Sequence, residues 1–191
     1  MSKKGTLFVI SGPSGVGKGT VCEEVFKDKD ALSLSFSISA TTRKPRPIDQ
    51  EGGTYFFKTR EEFESMIENG AFLEWAVYNE NYYGTPLAPV EEKLNAGINV
   101  ILEIEVQGAL QVKKNFPSGV LIFIAPPDLE TLYRRLQGRA TESEEEISRR
   151  VAAAEWEMAQ QSNYDYVIIN DVLEDTVQSV KDIIQARSVV L

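Results

Sequence analysis

One stretch constrains this chain more than any other: Ser11-Gly12-Pro13-Ser14-Gly15-Val16-Gly17-Lys18-Gly19-Thr20. Thr6-Leu7-Phe8-Val9-Ile10 before it is a short run of β-formers. After it, the apolar residues of Val21-Cys22-Glu23-Glu24-Val25-Phe26 recur at helical spacing. Strand, glycine-rich turn and helix, in that order, is the context a phosphate-binding loop requires. The glycines let the backbone curl so that successive N–H groups face an anion, and the helix adds its positive N-terminal end. Lys18 supplies a mobile cation for the β- and γ-phosphates of a nucleotide. Gly19 stands where the commoner pattern has a Ser or Thr hydroxyl for Mg²⁺, and Thr20 follows one residue later.

Composition narrows the function classes. The 191 residues are 42% hydrophobic and carry a formal net charge of −9. That balance speaks against a general binder of nucleic acid or of a membrane surface, which would be basic. Any anion site is therefore a local basic cluster on an acidic body. The sequence has no histidine, which excludes Ser-His-Asp and Cys-His catalysis and histidine-ligated metals. Its single cysteine, Cys22, fits a reducing, cytoplasmic setting and is expected in the core. No apolar stretch approaches the roughly 18 residues a membrane span needs.

Leu34, Phe36, Ile38 and Ala40 alternate with serines, which predicts one strand over 34–40. It runs out into Arg43-Lys44-Pro45-Arg46-Pro47, where two prolines hold a basic segment extended, as an anion clamp would need. Tyr55-Phe56-Phe57 predicts a short strand, and Thr59 and Glu62 have capping-box spacing ahead of a helix bearing Phe63, Met66 and Ile67. Over 72–78 the alternation puts Leu73, Trp75 and Val77 on one face and Glu74, Ala76 and Tyr78 on the other. Residues 40–86 thus read as a small inserted lobe. The run 99–104 is a buried parallel-type strand, and Glu103 and Glu105 at its end share a face. Apolar runs at 120–125 and 166–169 complete five strands alternating with helices, the pattern of an open α/β sheet, mostly parallel. Arg135 and Arg139 are four apart and Arg150 follows on the next helix, a basic hairpin of the kind expected in a lid.

The motifs together, Ser11–Lys18, Ser39-Ala-Thr-Thr-Arg-Lys-Pro-Arg46, Phe72-Leu-Glu-Trp75, Asn81-Tyr-Tyr-Gly84, Val106-Gln-Gly108 and Gly138-Arg-Ala-Thr-Glu142, resemble the guanylate kinases. The resemblance runs from about residue 5 to about residue 187. It implies a P-loop three-layer α/β fold in one domain, with a core of 1–39, 87–127 and 160–191, a GMP-binding lobe of 40–86 and a helical lid of 128–159. It implies that Gly12 to Thr20 hold ATP and that Lys18, Arg135, Arg139 and Arg150 serve the transferred phosphoryl group. By the same resemblance Arg43, Arg46, Tyr55 and Tyr83 hold the phosphate of GMP, Ser39, Glu74 and Thr85 read guanine, Glu103 lies near the bound nucleotide, and the region of Asn170 lies near adenine. Mg²⁺ is expected to arrive with ATP, held largely by water and phosphate oxygens, with no metal-ligating side chain assigned. The implied partners are ATP and GMP, with no nucleic acid and no membrane, for a monomer or homodimer in purine nucleotide metabolism. Ala140 and Glu105 depart from the family's commoner glycine and aspartate.

The chemistry agrees. Guanine presents N1–H and its 2-amino group side by side, and one carboxylate such as Glu74 accepts from both. Adenine would leave that carboxylate unpaired, and sites built this way discriminate by as much as about 10⁴–10⁵. Thr85 is a candidate donor to guanine O6. The nucleophile is a phosphate oxygen, already ionised, so the lack of histidine is no obstacle; alignment and charge neutralisation are what the reaction requires. Two alternatives stand beside this reading: a non-catalytic guanylate-kinase-like peptide-binding module, and a monophosphate kinase of other base preference.

Overall fold

The computed structural model describes the backbone of residues 4–137 and 144–188 and the side chains of residues 4–135 and 152–188. Five strands form a parallel sheet: β1 (Leu7–Ser11), β2 (Leu34–Phe36), β7 (Asn99–Glu103), β8 (Val120–Ala125) and β9 (Tyr166–Ile169), in the order β2-β7-β1-β8-β9. Every pairing in it is parallel. The central strands are apolar at nearly every position because both of their faces are covered. Phe8, Ile10, Ile101, Ile122 and Ile124 pack on one side with Val21, Cys22 and Val25 of α1 (Lys18–Phe26) and with Val177, Val180 and Ile184 of α7 (Leu173–Ser188). Leu7, Val9, Val100, Leu102 and Phe123 pack on the other with α3 (Leu87–Asn95) and α4 (Val106–Asn115). The expected three layers follow from that double coverage. Cys22 is buried, and burial pushes its thiol well above the ordinary range.

A second sheet of four strands has the order β4-β3-β6-β5, from β3 (Ser39–Thr41), β4 (Tyr55–Phe57), β5 (Phe72–Tyr78) and β6 (Asn81–Pro86). Here the structure departs from the periodicity. The single strand expected over 34–40 is two strands in two sheets. Ser37 N–H makes the last bond to the parallel sheet, at Ile101 O (3.0 Å), and Ser39 already begins the pairing with β4. The alternation over 72–78 is also broken. The β5–β6 register shifts between Phe72 and Glu74, so Leu73 joins the core beneath the large sheet while Trp75 stands edge-on to Tyr82. Glu74, Ala76 and Tyr78 keep a common face, as expected.

Thr59 caps α2 (Arg60–Glu68) with the full capping box: its hydroxyl accepts from Glu62 N–H at 3.1 Å, and Glu62 accepts from Thr59 N–H at 2.7 Å. Phe63 of α2 stacks between Phe72 and Tyr82 and closes a small core of this sheet. The chain continues through α5 (Leu129–Gln137) and α6 (Glu144–Ala159). Arg139 and Ala140 lie outside the described residues, as does the side chain of Arg150. No helix among the described residues is long and apolar enough to cross a membrane.

Thr59→Ala removes the cap acceptor and is expected to cost about 1 kcal/mol, read as a lower urea midpoint at unchanged slope.

Candidate active site

The parallel strands all deliver their C-terminal ends to one edge, and the loop of residues 12–17 crosses it between β1 and α1. The loop's geometry depends on glycine at two places. Gly12 has φ 149°, and a Cβ there would lie 2.2 Å from Ile124 O. Gly17 has φ 98° and forms the N-cap of α1, with no side chain over the helix end. Asn170 Nδ2 donates to Val16 O at 2.8 Å, so the residue after β9 braces the loop from behind. Arg135 also reaches it, donating to Val16 O (3.4 Å) and Asn170 O (3.2 Å).

Lys18 is folded back, donating from Nζ to the carbonyls of Gly12 (2.6 Å) and Pro13 (3.1 Å). Burial lowers its pKa, and the charges of Glu157, Glu103 and Glu105 oppose that shift. Burial raises the carboxyl of Glu103, with Lys18 pulling the other way. It also raises that of Glu157, on α6, against which Lys18 and the Ser14 N–H act. In front of the loop lies a cavity of ≈ 380 Å³ lined by Ser14, Gly15, Gly17, Lys18, Gly19, Thr20, Glu103, Ile104 and Glu105.

A second cavity, of ≈ 360 Å³, opens between the two sheets. Ser39, Tyr55, Glu74, Tyr83 and Glu103 line it, together with Tyr78, Gln107 and Gly108. Glu103, Ile104 and Glu105 belong to both cavities, so the end of β7 is the wall the two share. Glu74 is only 7% exposed; burial raises its pKa, and the bonds from Thr85 oppose the rise. The buried hydroxyl of Thr85 donates to Glu74 Oε1 at 2.6 Å and orients the carboxylate.

The basic segment is organised by a residue the sequence reading passed over. One oxygen of Asp49, Oδ2, accepts from Arg43 (2.9 Å) and from the backbone N–H of Arg46 (2.6 Å). These contacts, Arg46 N–H first, hold the Asp49 carboxyl below its ordinary value. Arg43 lies over the ring of Tyr55, 5.4 Å from its centroid, and Tyr55 meets Tyr83 edge-on at 6.1 Å. Arg43, Tyr55 and Tyr83 are thereby brought together. Arg46 is exposed and its side chain is not part of the cavity wall. The signal for Asp49 was present as an acid three residues past Arg46, a turn-forming spacing.

Oxygen ligands suit a hard cation such as Mg²⁺, and the carboxylates of Glu103 and Glu105 and the hydroxyl of Thr20 line the loop cavity. Gly19 lacks the hydroxyl of the commoner pattern; a Cβ there would stand 3.5 Å from Glu103 Oε1.

A model of the guanylate kinase family matches residues 4–187 of the chain. A guanylate kinase of Streptococcus thermophilus is 55% identical over 187 residues, which is 98% of this chain and 89% of that protein. One of Listeria monocytogenes serotype 4b is 52% identical over 187 residues, 98% of this chain and 91% of that protein. The crystal structure of guanylate kinase from Anaplasma phagocytophilum superposes with a TM-score of 0.74 at 32% identity, covering 98% of this chain and 88% of that one.

The raised pKa of Glu74 makes a prediction about stability. The folded chain binds this proton more tightly than the unfolded chain does, so stability is full below the ordinary carboxylate value and is lost as pH rises through the folded value. Glu74→Gln removes that loss. It is expected to raise the melting temperature at about pH 8 and to lose the advantage at about pH 4. A melting series across that range checks the sign.

Proposed function

The chain belongs to the guanylate kinase family and phosphorylates GMP to GDP with ATP; from that premise we propose how its own residues divide the work. The observation that carries the assignment is the shared wall: the loop cavity and the Glu74 cavity meet at Glu103–Glu105. Two anions can occupy them side by side, with donor and acceptor phosphates converging at the end of β7.

ATP is assigned to the loop cavity, with its phosphates against the backbone N–H groups of residues 14–20 and the N-terminus of α1. Lys18 exchanges its two carbonyl partners for phosphate oxygens. The exchange is electrostatically favourable, since a dianion meets a desolvated ammonium better than two neutral dipoles do. Arg135 lies against the loop and is assigned to the phosphates; Arg139 and Arg150 keep that role as a proposal from family resemblance. Mg²⁺ bound with ATP would neutralise phosphate charge, and Thr20, Glu103 and Glu105, which line the loop cavity, carry the oxygens that would face it.

GMP is assigned to the second cavity. Glu74 accepts from guanine N1–H and the 2-amino group, which replace the hydration that burial removed. Thr85 fixes the carboxylate's rotamer, and Ser39 faces the same space. Arg43, Tyr55 and Tyr83 hold the GMP phosphate. Arg46 acts through its exposed charge and its backbone tie to Asp49. Because the attacking oxygen is already ionised, these residues need only bring it into line and offset the repulsion between two phosphates. We assign residues 40–86 to the GMP lobe and 128–159 to a lid that excludes water, and place the reaction in purine nucleotide metabolism.

An ADP-coupled assay with ATP, Mg²⁺ and GMP tests the assignment. Lys18→Ala is expected to lower kcat by roughly 100-fold or more. Turnover matching the parent would remove the loop from the mechanism. Arg43→Ala is expected to raise KM for GMP by roughly tenfold or more, the worth of one or two charge-assisted hydrogen bonds, and to leave KM for ATP within about twofold. An unaltered GMP response would return Arg43 to solvent.

A further inference from the structure

Three successive residues of β5 each face a different residue of α4, and two of them are bonded to it. Asn115 Nδ2 donates to Leu73 O at 2.9 Å. Gly108 faces Glu74 so closely that a Cβ there would lie 3.0 Å from Oε2. Gln111 binds Trp75 twice: its Nε2 donates to Trp75 O at 3.0 Å and its Oε1 accepts from Trp75 N–H at 3.1 Å. Residues 108, 111 and 115 fall on one helical face.

This grip lies where the strand's own ladder is weakest. β5 is the edge strand of its sheet, so one row of its N–H and C=O groups has no neighbouring strand. Its pairing with β6 also shifts register between Phe72 and Glu74. The carboxamide of Gln111 satisfies both outward groups of Trp75, as a further strand would. It thereby sets the backbone on the C-terminal side of Glu74, while Asn115 sets it at Leu73. The same helix carries Gly108, whose missing side chain admits the carboxylate. α4 starts directly beyond Glu105, on the wall between the two cavities.

We propose that Gln111 is a positioning residue for base selection: it fixes the β5 backbone so that the Glu74 carboxylate meets the N1–H and 2-amino edge of guanine. This rests on Glu74 reading guanine, as assigned above. Gln111 lines neither cavity, so its effect runs through Trp75 and the strand. A carboxylate that accepts from two donors at once tolerates little displacement, so loosening the strand costs the two-donor base more than a one-donor base.

The test compares kcat/KM for GMP with that for inosine 5′-monophosphate, which lacks only the 2-amino group. Glu74→Gln should collapse the ratio. Gln111→Met, close in size and helix propensity but unable to pair with Trp75, should lower the ratio by about tenfold and leave KM for ATP within about twofold. Gln111→Met combined with Asn115→Ala should lower it further. The inference is overturned if Glu74→Gln collapses the ratio while Gln111→Met preserves it, including the case where both substrates slow in proportion, as loss of stability alone would produce. An unchanged ratio in Glu74→Gln would instead overturn the assignment of Glu74 itself, and this inference with it.

Discussion

The pairing of β1 with β7 on one side and β8 on the other is the constraint the rest of the molecule depends on. Both pairings are parallel, so three strand ends and the loops after them arrive at the same edge. The register aligns Ile10 with Glu103 and Ser11 with Phe123. Two residues past Ile10 the loop begins, and beside β1 the strand β7 ends in a carboxylate. A slip of one residue in β7 would turn Glu103 to the other face. The register observed also sets the site, since it puts Glu103 at the mouth of the loop.

The site is built from charges that lack their final partners. Lys18 and Glu74 are both desolvated, one with its pKa lowered by burial and the other with its pKa raised. Each is held by neutral groups, two carbonyls for Lys18 and the Thr85 hydroxyl for Glu74. Such partners orient a charge without neutralising it. A ligand of opposite polarity then gains interaction with little reorganisation, which is the physical content of a preorganised site. The acidic body sharpens this. With a net charge of −9, the chain repels phosphates except near Lys18 and Arg135 at the loop and near Arg43 beside Tyr55.

Much of this was legible in the sequence, and the misses share a cause. The loop, the five core strands and the α2 capping box are local: each is encoded in residues within a few positions of one another. The split of 34–40 was not legible, because alternation says that a segment is extended and not which sheet it joins. The partners that decide it, Ile101 and Tyr55, are distant in sequence. The bulge at Leu73 was hidden for the same reason. Residues chosen for charge can be picked from the letters alone: Lys18 and Glu103 line the loop cavity, and Glu74 and Glu103 line the second. Residues whose task is to hold other residues, such as Asp49 and Gln111, were missed. A polar side chain that binds backbone far away in sequence, as Gln111 binds Trp75, leaves no local pattern.

Gly19 illustrates how far the two kinds of information combine. Read alone, it is a missing hydroxyl in a familiar loop. In the fold, the direction a side chain would take from Gly19 leads to Glu103, 3.5 Å from Oε1 and 4.0 Å from Oε2. A serine or threonine there would bring its hydroxyl up to a carboxylate already raised in pKa by burial. It would narrow the space between loop and β7. The glycine keeps Glu103 open to the cavity. The letter in the loop and the acid at the end of β7 are therefore one choice, made by the parallel register that sets them side by side.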